Sequence, residues 1–393
     1  AAATTAGLTV GGSAVAGSTI NGSAVRDVFT IGAEGSAYNG NGGNDSITTT
    51  AAILVADGLT DGTINGGDGT DTLTISDTTV TLTDNHFTTL SGMETLALAS
   101  TVGDASVTTG GAFNAAFADG ATITTGVLAA TKDATINAGL ANMDLTVTVD
   151  LTTATGTAVE NNVVTTGSGN DTVNMNGDAS YVGVAGATGT IVVSTRAGDD
   201  TINVTTGQLL ANTTSEAITI TAGTGADTIV MSTTRNGAGA TAKATYIVAD
   251  GDSLEASRDK ITGFELGDGV NFADILDFDT AAVGTLATST DFGVIKSHSI
   301  TTGVALFDDA ASYAAELIIN SSNLSDVLGY LEANTAANDV VAFAYDSNGD
   351  GANDASMVWH NDTNNSLVEL VGLTGATSVA TTALTANMIG IGA

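Results

Sequence analysis

Neither cysteine nor proline occurs anywhere in this sequence. Without cysteine there is no disulfide framework and no thiol chemistry, so stability must come from another source. Aromatic residues make up only 4% of the chain, against 42% hydrophobic residues that are mostly Ala, Val, Ile and Leu. Side chains of that size suit thin, stacked β-layers better than a thick globular core. Positive charge is also scarce: eight Lys and Arg stand against 43 Asp and Glu, a formal net charge of −35. That balance argues against nucleic acid and anionic membrane surfaces as partners, and it calls for cations to hold a compact state. No apolar run approaches the ~20 residues of a membrane span. The opening AAATTAGLTV lacks the charged-then-apolar order of a secretory signal. A chain beginning with Ala is expected to be a fragment or a processed product.

Glycine, by contrast, is abundant, and it is grouped. Between Thr165 and Met231 one phrase occurs three times: TGSGNDTVNM, TRAGDDTINV and AGTGADTIVM. The turns carry Gly167, Gly169 and Asp171, then Gly198, Asp199 and Asp200, then Gly223, Gly225 and Asp227. After each final Asp, apolar residues fall two and four places on (Val173/Met175, Ile202/Val204, Ile229/Met231). That alternation reads as a strand with one buried face. Two earlier copies exist. GGDGTDTLTI holds Gly66, Gly67, Gly69 and Asp71, and GNGGNDSI holds Gly40, Gly43 and Asp45 with Asn41 in a glycine place.

The chemistry points to Ca²⁺, a hard cation that takes six to eight oxygens from carboxylates and backbone carbonyls. One such turn supplies about half a coordination sphere, so neighbouring turns must stack and share ions, which is the logic of a β-helix repeat. On these five motifs the chain resembles the RTX family, exported bacterial proteins with glycine-rich calcium repeats. The resemblance implies an all-β fold, a calcium-stabilised parallel β-helix or β-roll with Ca²⁺ as its cofactor. Spacing departs from the toxin pattern of one motif every nine residues. Asp45 to Asp71 is 26 residues, Asp171 to Asp200 is 29 and Asp200 to Asp227 is 27, so each coil is expected to be larger, with the calcium turn at one corner.

Between Asp71 and Asp171 only weakened echoes occur, at Asp104, Asp119 and Asp133, and these are expected to be stacked turns without metal. The phrase SGMETLALAS around Glu94 resembles one found in calcium-dependent surface-layer proteins of Gram-negative bacteria. Residues 1–25 read as a lead-in or edge strand, and 26–245 as the solenoid. Residues 246–280 resemble the segment that closes an RTX array, a cap on which Asp250, Asp252, Asp259, Asp268 and Asp274 are candidate donors. From 281 to 393 the texture changes. Helical spacing covers 309–319 and 324–331, followed by three alternating strands and an apolar end, a small α+β or β-meander region. This end resembles the C-terminal part of type I secreted proteins. The turn DSNGDGAND places Asp346, Asn348, Asp350 and Asp354 as in an EF-hand, but Met357 stands where the loop needs Glu. A full EF-hand is therefore excluded, leaving another calcium loop or a plain hairpin.

Catalytic patterns are missing. His86, His298 and His360 lie far apart, with no H-E-x-x-H spacing, and Arg26, Arg196, Arg235 and Arg258 do not cluster with aromatics. The expected function is structural: a secreted, cell-surface subunit that folds with calcium outside the cell and assembles with itself. A cell-surface glycan is expected as an anchor through a region not contained in this sequence. The alternative is the calcium-binding module of a type I secreted adhesin or enzyme.

Overall fold

The computed structural model describes residues 7–12, 17–33, 35–55, 62–99, 101–129, 132–151, 161–177, 190–205, 217–232, 243–267, 274–381 and 388–392. Asp268 and Arg235 lie outside them. The chain is almost all β, as expected. It divides into two compact units, one of residues 1–184, 189–196 and 205–207 and one of residues 185–188, 197–204 and 208–393. Neither expected boundary, after 245 or after 280, coincides with that division.

The first unit is a parallel β-solenoid. Its main stack runs Thr9–Gly12, Val28–Ile31, Ser46–Thr49, Thr72–Ile75, Thr95–Leu98, Ala121–Thr124, Leu145–Leu151 and Thr172–Gly177, each strand parallel to the next. A second stack runs Val80–Leu82, Ala105–Thr108, Ala134–Asn137, Asn161–Thr165 and Thr190–Ser194. The lead-in is part of the winding, because Thr9 pairs with Val28 and Thr19 with Ala37.

Strand alternation produces the core. Phe29, Ile47, Leu73, Leu96, Ile123, Val147 and Val173 occupy one register position and are all 0% exposed. Each such burial contributes about 1.5–3 kcal/mol, which is how a chain with few aromatics holds together. In the motif-poor middle the few rings are concentrated. Phe87, Phe113 and Phe117 pack with centroids 4.5–6.2 Å apart. The short helix Gly111–Ala116 is held by Asp84, whose carboxylate accepts the Ala112 and Phe113 N–H groups at 3.1 and 2.9 Å.

The second unit also begins with parallel winding. Thr201–Val204, Thr228–Met231 and Asp259–Thr262 form one stack, and Ala217–Thr221, Lys243–Val248 and Ile275–Phe278 another. Residues 246–280 thus extend the coils where a polar cap was expected. The covering comes from farther along: Ser366–Val371 pairs in parallel with Asp259–Thr262, and Met388–Gly392 lies antiparallel on Ile275–Phe278. At this joint Arg258 donates to Glu369 at 2.8 Å and lies over the Tyr345 ring.

The three expected strands are Asp339–Tyr345, Ala355–His360 and Ser366–Val371, an antiparallel meander. They are buried nearly continuously rather than on one face. Helix Leu324–Asn334 seals one side, through Val327, Tyr330 and Leu331 against Phe307, Phe343 and Trp359. The helix expected over 309–319 does not form. There the Asp308 carboxylate accepts N–H groups from Ala310, Ala314 and Ala315 at 2.6–3.0 Å, wrapping the chain around itself in place of i to i−4 bonds. Those amides hold the Asp308 carboxyl down, at about 2.

Candidate metal-binding corner of the solenoid

The repeat aspartates form a column. In the first unit the Asp27 N–H donates to Asp45 Oδ1 at 2.7 Å, the Asp45 N–H to Asp71 Oδ1 at 2.7 Å, and the Asp71 N–H to Glu94 Oε2 at 2.6 Å. The Leu8 N–H donates to Asp27 Oδ1 in the same way. Farther along, the Leu145 N–H donates to Asp171 Oδ1 at 2.8 Å. The second unit repeats the device: the Asp200 N–H donates to Asp227 Oδ1 at 2.8 Å, and the Asp227 N–H to Asp259 Oδ1 at 3.2 Å. Each acid therefore accepts an amide from the coil before it, an amide the strand ladder leaves over at the corner.

Two members of this column, Asp27 and Glu94, are absent from the expected ligand set. Glu94 is in register with Asp71, since Thr95 pairs with Thr72. For Asp27 the available signal is Phe29 and Ile31, two and four places on. Asp259, expected with Asp250 and Asp252 in a terminal site, instead joins the column. Asp250 accepts the Asn364 N–H and side-chain amide at 3.0 and 2.9 Å. Asp252 accepts the Ala249 N–H at 3.1 Å.

Asp27 uses both oxygens, accepting the Leu8 and Ser23 N–H groups; at Asp45 and Asp71 one oxygen is used, and the second is the chemically interesting one. Asp45 Oδ2 and Asp71 Oδ2 are buried without a hydrogen-bond partner, on residues 2% and 0% exposed. Backbone oxygens meet them. A Cβ added to Gly40 would run into both Asp45 Oδ2 and the Gly66 carbonyl oxygen. One on Gly66 would meet Asp71 Oδ2 and the Gly92 carbonyl oxygen, and one on Gly22 would meet Asp27 Oδ2 and the Gly40 carbonyl oxygen. Carboxylate and carbonyl oxygens from successive coils therefore converge at a cradle that only glycine leaves open. These are the donor types Ca²⁺ takes. Among the described residues, no group of three or more His, Asp or Glu side chains is placed to hold a metal alone, so carbonyl oxygens must complete any shell.

Gly69 and Gly225 explain the other glycines. Their φ values are 143° and 147°, and a Cβ there would strike the carbonyl oxygens of Gly43 and Gly198. Asn41 adopts φ 72°, the left-handed conformation that Asn tolerates, which is how it stands in a glycine place. A Cβ on Gly167 would strike the Ala141 carbonyl oxygen, and one on Gly169 would crowd that of Met143. Gly43, Gly67, Gly198 and Gly223 also have positive φ. Asp199 lies outside the column and accepts the Ala226 N–H at 2.9 Å.

No family model matches this chain, and no curated protein or solved structure does.

The electrostatics follow from the stacking. Burial pushes the Asp45 carboxyl up, with the Asp71 and Asp27 charges adding to it. Burial raises Asp71 as well, helped by Glu94, and burial raises Asp171. Asp227 and Asp259 face each other, and burial lifts both, Asp227 to about 6 and Asp259 higher still. A proton or a metal ion relieves the same repulsion.

The remaining candidates are built differently. In the 346–354 turn, Asp346 accepts N–H groups from Gly349, Asp350 and Gly351 at 2.7–3.2 Å, Asn348 from Asp350, Asp350 from Ala352, and Asp354 from Ser347. The carboxylates face the loop's own amides, and the segment is a hairpin connection. Asp104 and Asp133 belong to the second stack, where the Asp133 N–H donates to Asp104 Oδ1 at 3.3 Å and the Asn161 N–H to Asp133 Oδ1 at 2.7 Å. The histidines have separate local partners: His86 with Thr83, His298 with the Tyr330 hydroxyl, and His360 with Asp362.

Proposed function

We propose that this chain is a calcium-ordered structural β-solenoid of the bacterial cell exterior, folding where calcium is plentiful and assembling with copies of itself into a surface layer. The observation that carries this reading is the acid column, in which the buried second oxygens of Asp45 and Asp71 share glycine cradles with carbonyl oxygens of the next coil. Asp27, Asp45, Asp71, Glu94 and Asp171 would hold calcium in the first unit, and Asp200, Asp227 and Asp259 in the second, with turn carbonyls completing each shell. Bound calcium supplies positive charge that neutralises stacked carboxylates. The chain's own contribution is a coil that cannot pack ionised acids at the corner without a counter-ion. A net charge of −35 keeps the metal-free chain expanded, as suits export through a low-calcium cytosol.

Titrating calcium into the chelator-treated chain, with circular dichroism and particle size followed together, tests this. The reading expects β-signal to rise and large assemblies to form, both reversed by chelator. Gain of β-signal with a persistent monomer would favour a secretion or adhesin module. An unchanged signal in calcium and in chelator would overturn the metal assignment.

A further inference from the structure

The second unit holds an open pocket of about 390 Å³ beside the turn that joins Ala355–His360 to Ser366–Val371. Three acids line it, Asp250, Asp279 and Asp362, and none of them pairs with a Lys or Arg among the described residues. Their neighbours feel the crowding. Burial pushes the Asp252 carboxyl up, with the Asp279 and Asp250 charges adding to it, and burial raises Asp277 with Asp279 adding again.

A second observation does not depend on charge. His360 also lines the pocket and is only 1% exposed. Its Nδ1 donates to Asp362 Oδ2 at 3.0 Å, and the Ser366 hydroxyl donates to the same oxygen at 2.7 Å. A carboxylate only accepts, so Nδ1 carries the proton and Nε2 of the neutral ring is an acceptor. The Phe278 ring, with its centroid 4.6 Å from that of the imidazole, packs against it and holds it in place. Neither His360 Nε2 nor Asp362 Oδ1 has a hydrogen-bond partner, although both atoms are buried. Folded chains rarely leave buried acceptors unpaired, so two on one dyad call for donors brought by a ligand.

We infer that this pocket binds a protonated amino sugar, a single-ring polyol carrying an ammonium group. An ammonium is all donor and no acceptor, which is what the unpaired acceptors lack, and its charge answers the three acids. A bare metal ion does not fit, because no three His, Asp or Glu side chains among the described residues are placed to hold one. A neutral sugar leaves the acids without a counter-charge, and an anionic one is repelled. The hydroxyls are selected by the uncharged side of the pocket. There Thr280 donates to Asn338 Oδ1 at 2.6 Å, which leaves Asn338 Nδ2 as a donor and Thr280 Oγ1 as an acceptor, and Thr363 adds an exposed hydroxyl. A plain alkylamine uses none of these. The volume lies within the usual range for small-ligand pockets.

The test uses the full chain in saturating calcium and about 0.15 M salt, with glucosamine as the probe and its affinity read by calorimetry. N-acetylglucosamine keeps the hydroxyls without the ammonium, and butylamine keeps the ammonium without the hydroxyls. Both are expected to bind about tenfold more weakly than glucosamine. Asp279→Asn removes a charge from an exposed side chain, and Thr363→Lys brings an ammonium of the chain's own to the pocket. Each is expected to weaken glucosamine about tenfold with circular dichroism unchanged. Glu316→Gln, at an exposed acid of the same unit that does not line the pocket, is expected to leave binding as in wild type. A wild type that binds no glucosamine, or pocket variants that bind it as wild type does, overturns the site. Equal affinity for N-acetylglucosamine makes this a neutral-sugar pocket, equal affinity for butylamine makes it a general cation pocket, and either result overturns the assignment. An equal loss from Glu316→Gln means adsorption to the acidic surface and overturns it too. None of these outcomes bears on the calcium column, whose own test is the titration above.

Discussion

Asp45 shows at one position how the corner works. Its Oδ1 satisfies the Asp27 amide, and its Oδ2 faces the cradle. Asp45→Asn keeps the acceptor and removes the charge, so in chelator it is expected to retain more β-signal than wild type while weakening calcium's effect. Asp45→Ala leaves a buried N–H unsatisfied and is expected to cost about 1–3 kcal/mol more than Asp45→Asn, read from urea denaturation in calcium. Equal losses from the two variants would contradict the division of labour between the oxygens. Glycine gives a second residue-scale contrast. Gly69→Ala must fit a Cβ against the Gly43 carbonyl at φ 143°, whereas Gly11 has nothing within 4 Å. The first substitution is expected to cost over 1 kcal/mol and the second close to none, read from urea denaturation of both. The Gly-x-Asp turn and the residues two and four places on were legible in the sequence because they are local. The partner of each carboxylate was not, because it is the amide of another coil, 18, 26 or 23 residues away in the first three pairs. Coil length follows the loops rather than the core, so no fixed period betrays Asp27 or Glu94.

At the level of elements, the column sets the response to pH. Asp45, Asp71, Asp227 and Asp259 all titrate above the ordinary Asp value in the folded chain. Their contribution to stability is therefore full below about pH 4, the unfolded value, and is lost as pH rises through the raised folded values. In chelator the melting temperature is expected to fall between about pH 4 and the neutral range. In excess calcium, which needs the ionised acids, the slope is expected to reverse. The same downward slope in both buffers would remove the metal from the column. The joint at Arg258 and Glu369 makes a second prediction at this scale. Glu369 is 2% exposed in a strand laid on the last coil. Arg258→Met leaves that charge buried and unpaired, and a loss of about 3–5 kcal/mol is expected, with rescue by Glu369→Gln. The strands of 339–371 were legible, while the helix over 309–319 was not excluded, because apolar spacing carries no trace of Asp308 gathering three amides.

For the whole molecule, two kinds of electrostatics separate. The exposed share of the −35 charge is screened by simple salt, with a Debye length of about 8 Å at 0.15 M; the buried column is screened much less. Sodium chloride is therefore expected to compact the calcium-free chain without restoring native β-signal, which millimolar calcium restores. Full recovery in sodium chloride would make the column incidental to folding. Composition had already announced this scale, since scarce aromatics and excess acid suit thin layers and cations, but it is silent on where the winding stops. The coils of residues 246–280 read as a cap because their acids suggested an end, and the covering strands lie more than 85 residues further on, at Ser366–Val371 and Met388–Gly392.

The acid column has a direction, since every carboxylate reaches back to the amide of the coil that precedes it and none of Asp45, Asp71, Glu94, Asp227 or Asp259 reaches forward in these bonds. Each coil therefore offers its successor a donor and its predecessor an acceptor. Cut between any two of these coils, a stack would show an amide N–H on the earlier side and a carboxylate on the later one. The two ends of such a stack are chemically unlike, and coils join in one sense only.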